Sequence, residues 1–353
     1  MSSRSVALIA LTRGGARLAR RLAGGIDATL YILRRYGGDA GKGAHLFDDL
    51  STIFPIIFRE HSRILFIGAA GIAVRMAAPL LQSKERDPAL VVMDEKGEFA
   101  IPILSGHLGG GNDLARTLAH ITGGRPVITT ATDVNQLPSF DLVAQEMGWE
   151  IERLDRVKHA NAALLDGEPI AVVDQTGRLR HRFAGRGELR FHDTLVTALR
   201  SSCRVVVLVS NAVVPPAMEG ERLLVLRPRN LFLGVGCNRG TAAEEILSLV
   251  TANLKRLFLS PRSIGAIATA EAKRGEGGLR EAAEELKVPL LFFSSDELNG
   301  VPVPSPPSPH AQRAIGVRGV AEPAALLASR GGELILSKVR SGNVTLAIAE
   351  DRP

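Results

Sequence analysis

The densest concentration of chemistry-bearing residues in the chain is Leu104-Ser105-Gly106-His107-Leu108-Gly109-Gly110-Gly111-Asn112-Asp113. It follows an apolar, strand-like run and opens a helical pattern. Its backbone amides are therefore expected to converge on one point, where an anion or a developing oxyanion is favoured. Glycines 106, 109, 110 and 111 let a bulky ligand approach the backbone closely, and His107 can act as acid, base or metal ligand near neutral pH. The structural alternative is a helix capped by Asn112 or Asp113 with His107 merely exposed.

A second group, Thr129-Thr130-Ala131-Thr132-Asp133-Val134-Asn135, also leaves an apolar run and sets hydroxyls, a carboxylate and an amide on its rim. Asp133 or Asn135 can equally cap the next helix. Gly68-Ala69-Ala70-Gly71 with Arg75 would add a third wall and a fixed positive charge to one shared crevice. A third candidate, Gly234-Val235-Gly236-Cys237-Asn238-Arg239-Gly240-Thr241, nearly matches the dinucleotide fingerprint. Arg239 stands where the last glycine belongs, and Glu271 lies about thirty residues on rather than about twenty, which disfavours nicotinamide or flavin. Cys237 could be a thiolate at a helix start or a small packed residue. The histidines are scattered without ligand spacing, so a dedicated zinc site is not expected.

These groups need scaffolding, and the sequence supplies it as alternating strand and helix patterns. Strands are expected at Val6–Leu11, Arg63–Ile67, Leu90–Met93, Phe99–Leu104 and Pro126–Thr130, with Asp94-Glu95-Lys96-Gly97 turning a hairpin. Helices are expected over Ala16–Ala23, Asn112–Thr122 and Gln136–Met147. Beyond Trp149 the pattern is less regular, with strands expected at Ile170–Val173, Arg178–Phe183 and Val205–Val209. From Leu231 the alternation resumes: strand, helix Ala242–Leu257, strand Ile264–Thr269, helix Leu279–Leu286, strand Leu290–Phe293. A proline-rich loop at Val301–Pro309 precedes helix Pro323–Ser329 and two last strands. The fold class is multidomain α/β, with mostly parallel sheets flanked by helices and a less regular α+β middle region. Domain boundaries fall near 150 and 228, giving domains 1–150, 151–228 and 229–353.

Composition narrows the partners. The chain has 353 residues, 43 basic against 37 acidic, and its eight lysines leave arginine as the dominant cation. Arginine grips carboxylate or phosphate through a planar fork. Aromatics are only 4 %, too few for a reader that stacks bases. An acidic small molecule is the expected partner, with no nucleic acid and no membrane. Two cysteines form no disulfide framework, and the N-terminal apolar run is too short for a signal peptide. The protein reads as soluble and cytoplasmic.

Several motifs together resemble a known family. Gly68–Arg75 with Ala78-Pro79-Leu80-Leu81, Asp87–Val92, Leu104–Asn112 and Pro126–Asp133 are similar to the N-terminal domain of the CbiG proteins of anaerobic cobalamin synthesis. Gly234–Cys237, Gly240-Thr241, Ile267–Thr269, Lys273, Gly316–Leu326, Lys338 and Val344–Ala349 resemble the family's other half, shared with the CobE proteins of the aerobic route. Gly111 departs from the pattern, where alanine is expected.

The resemblance implies a cobalt-precorrin-5A hydrolase. Its substrate is a contracted cobalt tetrapyrrole whose ring-A acetate is closed as a δ-lactone onto the extruded meso carbon. Water opens the lactone, and that carbon leaves with its methyl group as acetaldehyde. No cofactor of the protein's own is implied, because the cobalt is carried by the substrate. On chemistry and position, His107 is the candidate general base or cobalt-facing ligand, with Asp133 an alternative base. The 105–111 backbone would serve the oxyanion. The expected substrate contacts are Gly71, Arg75, Ser105, Gly106, Gly109, Gly110, Asn112, Thr129, Thr130, Thr132, Lys273, Glu322 and Lys338, with Arg75, Lys273 and Lys338 taking the carboxylate arms. Partners would be the polycarboxylate corrinoid, neighbouring pathway enzymes and, in a homo-oligomer, further copies. A non-catalytic corrinoid carrier or scaffold and a nucleotide-binding oxidoreductase stay open as other classes.

Overall fold

A computed structural model describes residues 5–351 apart from 42, 84–85, 108 and 175. The chain divides into two units, Met1–Gln136 and Leu137–Pro353. The first is built on a seven-stranded sheet in the spatial order His45–Phe47, Ala28–Leu33, Val6–Ala10, Arg63–Ile67, Ala89–Met93, Phe99–Leu104, Arg125–Pro126. Val6–Ala10 and Ala89–Met93 are buried at every position, as strands covered on both faces must be. One core lies under helices Arg13–Ala23 and Gly111–Thr122, the other around Phe54, Ile57, Phe66 and Ala73. Helix Arg13–Ala23 buries Leu18, Ala19 and Leu22, while Arg13 and Arg17 pair with Asp39 at its surface.

The hairpin at 94–97 decides what the sheet can bring together. Ala89–Met93 runs parallel to Arg63–Ile67, but Phe99–Leu104 runs antiparallel, with Leu104 beside Leu90 and Ala100 beside Met93. The loop after Leu104 therefore leaves the sheet at the end opposite to Gly68, whose amide donates to the Met93 carbonyl (2.9 Å). The sequence predicts a buried strand over 126–130. The structure has a two-residue edge strand, Arg125–Pro126, with both residues exposed, a position where a proline without an N–H is tolerated.

The expected boundary near 150 falls instead after Gln136. Helix Phe140–Glu146 and strand Glu150–Ile151 join the second unit, because Phe140, Val143, Ala144 and Trp149 pack into the core of its first sheet. That sheet is ordered Leu189–Phe191, Ile170–Asp174, Val205–Val209, Leu223–Arg227, Glu150–Ile151, parallel except at the last strand. Residues 178–183, expected as a strand, form a helix. The helix predicted from 136 begins at Phe140, where the Ser139 hydroxyl accepts from the Leu142 amide.

The other sheet of this unit is ordered Leu290–Phe293, Ile264–Ala270, Leu231–Cys237, Val344–Glu350, Glu333–Ser341. Helix Ala321–Ala328 lies so close over it that a Cβ on Gly234 would meet the Ala321 carbonyl oxygen at 1.7 Å. Gly234→Ala is expected to cost about 2 kcal/mol through this overpacking, read as a lowered midpoint of thermal unfolding. Among the described residues no helix is long and apolar enough to cross a membrane.

Candidate functional site

The loop that leaves Leu104 is held in shape by its own atoms. Ser105 is left-handed at φ +52 and Gly110 at φ +77, and the Ser105 hydroxyl donates to the Asp87 carbonyl (2.9 Å). A Cβ on Gly109 would meet the Ser105 Cβ at 2.4 Å, and one on Gly106 would meet Asn112 Oδ1 at 2.7 Å. The glycine density thus follows from a tight reversal. Gly111, the departure from the family pattern, lies where a Cβ would stand 3.0 Å from the Leu104 carbonyl oxygen.

The expected cradle of backbone donors does not form as such. Gly110 donates to the His107 carbonyl (2.8 Å), Gly111 to that of Ser105 (3.1 Å) and Asn112 to that of Gly106 (2.8 Å). The loop turns tightly enough for its own carbonyls to reach the first amides of helix Gly111–Thr122. These three N–H groups are therefore committed within the loop and are not aimed at a ligand.

What the loop does create is a side-chain constellation. His107 Nε2 lies 3.0 Å from Thr132 Oγ1 and 3.2 Å from Asp133 Oδ2. The buried Asn112 donates through Nδ2 to Asp133 Oδ2 (2.9 Å) and Thr130 Oγ1 (3.1 Å). Its Oδ1 is buried without a hydrogen-bond partner among the described residues. Arg116, one turn further along the helix, binds Asp133 Oδ1 through Nη2 and Asp113 through Nη1 (2.9 Å). The His107 and Asp133 side chains keep only 17 % and 15 % of their surface exposed.

Asp133 is thus a carboxylate with both oxygens engaged, suited to fixing His107 rather than to taking a proton itself. An imidazole beside such a carboxylate can accept a proton and have the resulting charge balanced at contact distance. Arg116 escapes the sequence reading because a lone helical arginine looks like solvated surface. The available signal is its spacing, four residues after Asn112 and three after Asp113, which places it on the same helix face.

His107, Asn112, Thr130, Thr132 and Asp133 are brought together, with Ser105, Gly106, Gly109 and Gly110 in the same loop; Thr129, Gly71 and Arg75 do not join them. Thr129 is exposed. Gly71 lies in the first turn of helix Ala70–Ala77, which starts at the far end of the sheet, and Arg75 follows on that helix, exposed. The hairpin reversal is the reason that the expected third wall is missing.

In the second unit, Glu322 is buried and serves as a tie. Its Oε1 accepts from the Ser305 hydroxyl (2.8 Å) and the Lys338 amide (2.9 Å). Lys338 Nζ donates to the Pro306 carbonyl (3.3 Å), so both residues pin the proline-rich loop against the sheet. Lys273 pairs with Glu276 at 3.2 Å, and Glu276 also accepts the Gly240 amide (2.8 Å). That amide and Lys273 hold the Glu276 carboxyl below its ordinary range. Burial pushes the Cys237 thiol up, only partly opposed by Lys273. Cys237 is therefore expected to alkylate more slowly at neutral pH than a free peptide thiol, as timed iodoacetamide labelling with peptide mapping would show.

Residues 52–133 match the family model described as Cobalamin synthesis G N-terminal, 138–228 the Cobalamin biosynthesis central region, and 231–349 the Cobalamin synthesis G C-terminus. A protein of Priestia megaterium named cobalt-precorrin-5A hydrolase is 34 % identical over 97 % of this chain and 94 % of its own length. One of the same name from Salmonella typhimurium is 32 % identical over 98 % of this chain and 97 % of its own. Protein CobE of a Sinorhizobium species is 34 % identical over 34 % of this chain and 79 % of its own. With the family's three regions matched in order and full-length relatives above 30 % identity, this chain belongs to the CbiG family of cobalamin synthesis.

Proposed function

We propose that the protein is a cobalt-precorrin-5A hydrolase: it opens the ring-A δ-lactone and releases the extruded carbon as acetaldehyde, giving cobalt-precorrin-5B. The observation that supports this reading is the full-length match to two relatives named cobalt-precorrin-5A hydrolase. The His107 constellation supplies residues suited to it. In the first step water adds to the lactone carbonyl while His107 takes its proton, and the ring C–O bond breaks to leave a free acetate and an alcohol on the meso carbon. In the second step the alcohol loses its proton and the bond from that carbon to the macrocycle breaks. The electron pair stays on the conjugated ring, which takes up a proton, and acetaldehyde departs. The cobalt belongs to the substrate, and the protein needs no cofactor of its own.

Asp133 acts here as a positioning residue, holding the imidazole and balancing its charge, with Arg116 and Asn112 fixing the carboxylate. Asp133→Asn is expected to lower kcat by at least about tenfold, with KM little changed, since proton transfer by an aligned base contributes about 10²–10⁴-fold. A rise in KM alone would contradict that role.

Acetaldehyde trapped during anaerobic incubation with cobalt-precorrin-5A tests the function itself. Aldehyde above a no-enzyme control is the expected result. Binding of the corrinoid without aldehyde would make the protein a carrier or scaffold.

A further inference from the structure

We propose that the first sheet of the second unit carries a subsite for the carboxylate arms of the corrinoid, built on helix Arg178–Phe183. The proposal rests on the hydrolase reading for the identity of its ligand. A cleft of about 660 Å³ is lined by Met147, Thr176, Arg178, His181 and Arg182. It lies beyond the carboxyl end of strand Ile170–Asp174, whose neighbours are Leu189–Phe191 on one side and Val205–Val209 on the other. Its lining comes from the loop and helix that follow strand Ile170–Asp174, together with Met147 after helix Phe140–Glu146.

The helix is oriented by its sequence. Asp174 accepts the Leu179 amide through Oδ2 (2.8 Å) and the Thr176 amide through Oδ1 (3.1 Å), which anchors the helix start. Leu179 and Phe183, four residues apart, are buried, and Phe183 packs at a tilt against Phe140 with ring centroids 4.9 Å apart. Fixing those two positions inward turns Arg178, His181 and Arg182, spaced at three and four residues, onto the cleft side. Arg180 points elsewhere, its guanidinium 4.1 Å from the centre of the Phe191 ring.

Three basic side chains beside apolar Met147 suit a ligand with anionic arms and a hydrophobic ring edge. Arg178 pairs with Asp351 at 3.7 Å and Arg182 with Glu146, all four side chains being about 35–40 % exposed. Such surface pairs contribute only about 0–1 kcal/mol, so a ligand carboxylate can replace them. Arg182 Nε is buried with no hydrogen-bond partner among the described residues, a donor that an incoming carboxylate would satisfy.

The test uses the full chain and cobyrinic acid, a stable cobalt corrin with free carboxylate arms, against cobalamin, whose arms are amidated. Binding is read by quenching of the single tryptophan, Trp149. Cobyrinic acid is expected to bind more tightly than cobalamin. The Arg178→Gln/Arg182→Gln double variant should raise its Kd at least about tenfold, the scale of one lost charge-assisted pair. Arg180→Gln, which removes the same charge from the same helix outside the cleft, should leave it unchanged. If circular dichroism shows the double variant unfolded, Arg182→Gln alone takes its place, with a rise of at least about threefold expected. An unchanged Kd, or an equal loss in Arg180→Gln, overturns the subsite. Absence of acetaldehyde from the wild-type chain would overturn the hydrolase reading and leave this binding result standing.

Discussion

His107→Ala is expected to lower acetaldehyde release from cobalt-precorrin-5A by at least about 100-fold in a chain that still folds and still binds the corrinoid. An aligned acid–base group contributes about 10²–10⁴-fold, and no other described side chain of the constellation can take over. Asp133 is engaged by Arg116, Asn112 and His107, and threonine hydroxyls are poor bases. The stability cost should be small, because His107 is partly exposed and its loss removes hydrogen bonds worth about 1 kcal/mol each. Added imidazole should restore part of the activity in His107→Ala and none in Asp133→Asn. A purely structural histidine would show no such rescue.

Arg227→Ala should cost about 3 kcal/mol of stability, seen as a shift of the denaturation midpoint. Arg227 is 1 % exposed and ends strand Leu223–Arg227. Its guanidinium binds Glu152 through Nε (2.8 Å) and donates through Nη1 to the carbonyls of Ser210 (2.9 Å) and Ala212. Truncation leaves a carboxylate and two carbonyls short of their donor, and breaking a buried pair from one side costs about 3–5 kcal/mol. The lower figure applies because Glu152 is one-third exposed. Adding Glu152→Ala to Arg227→Ala should therefore cost less than the two changes summed, and strict additivity would contradict the pairing.

Much of the framework is legible in the sequence. Leu18 and Leu22 mark a helix face, and Asp94–Gly97 a hairpin, because local periodicity and turn chemistry express themselves within a few residues. Helix Leu50–Glu60 escapes, since Pro55 and the β-branched residues around it mask the pattern that Asp49 caps. Arg178–Phe183 has only two apolar residues, Leu179 and Phe183, whose spacing of four fits one face of either a strand or a helix, and the core under them makes it a helix.

For the candidate site, His107, Asn112, Thr130, Thr132 and Asp133 are legible as polar residues at strand exits. The positions of Gly71 and Arg75 are not, because the hairpin reverses the next strand and sends its exit to the other end of the sheet. Glycines 106 and 109 read as room for a ligand, whereas their space is filled by Asn112 and Ser105. Arg116 matters through a contact with Asp133 seventeen positions away, beyond the reach of local pattern.

The most direct measurement is mass spectrometry of the corrinoid after anaerobic incubation of cobalt-precorrin-5A with the full chain in water labelled with heavy oxygen. The hydrolase account predicts a product lighter by the acetaldehyde carbons and carrying one heavy oxygen in the freed acetate. An unchanged corrinoid, or a shortened one without the label, would contradict it.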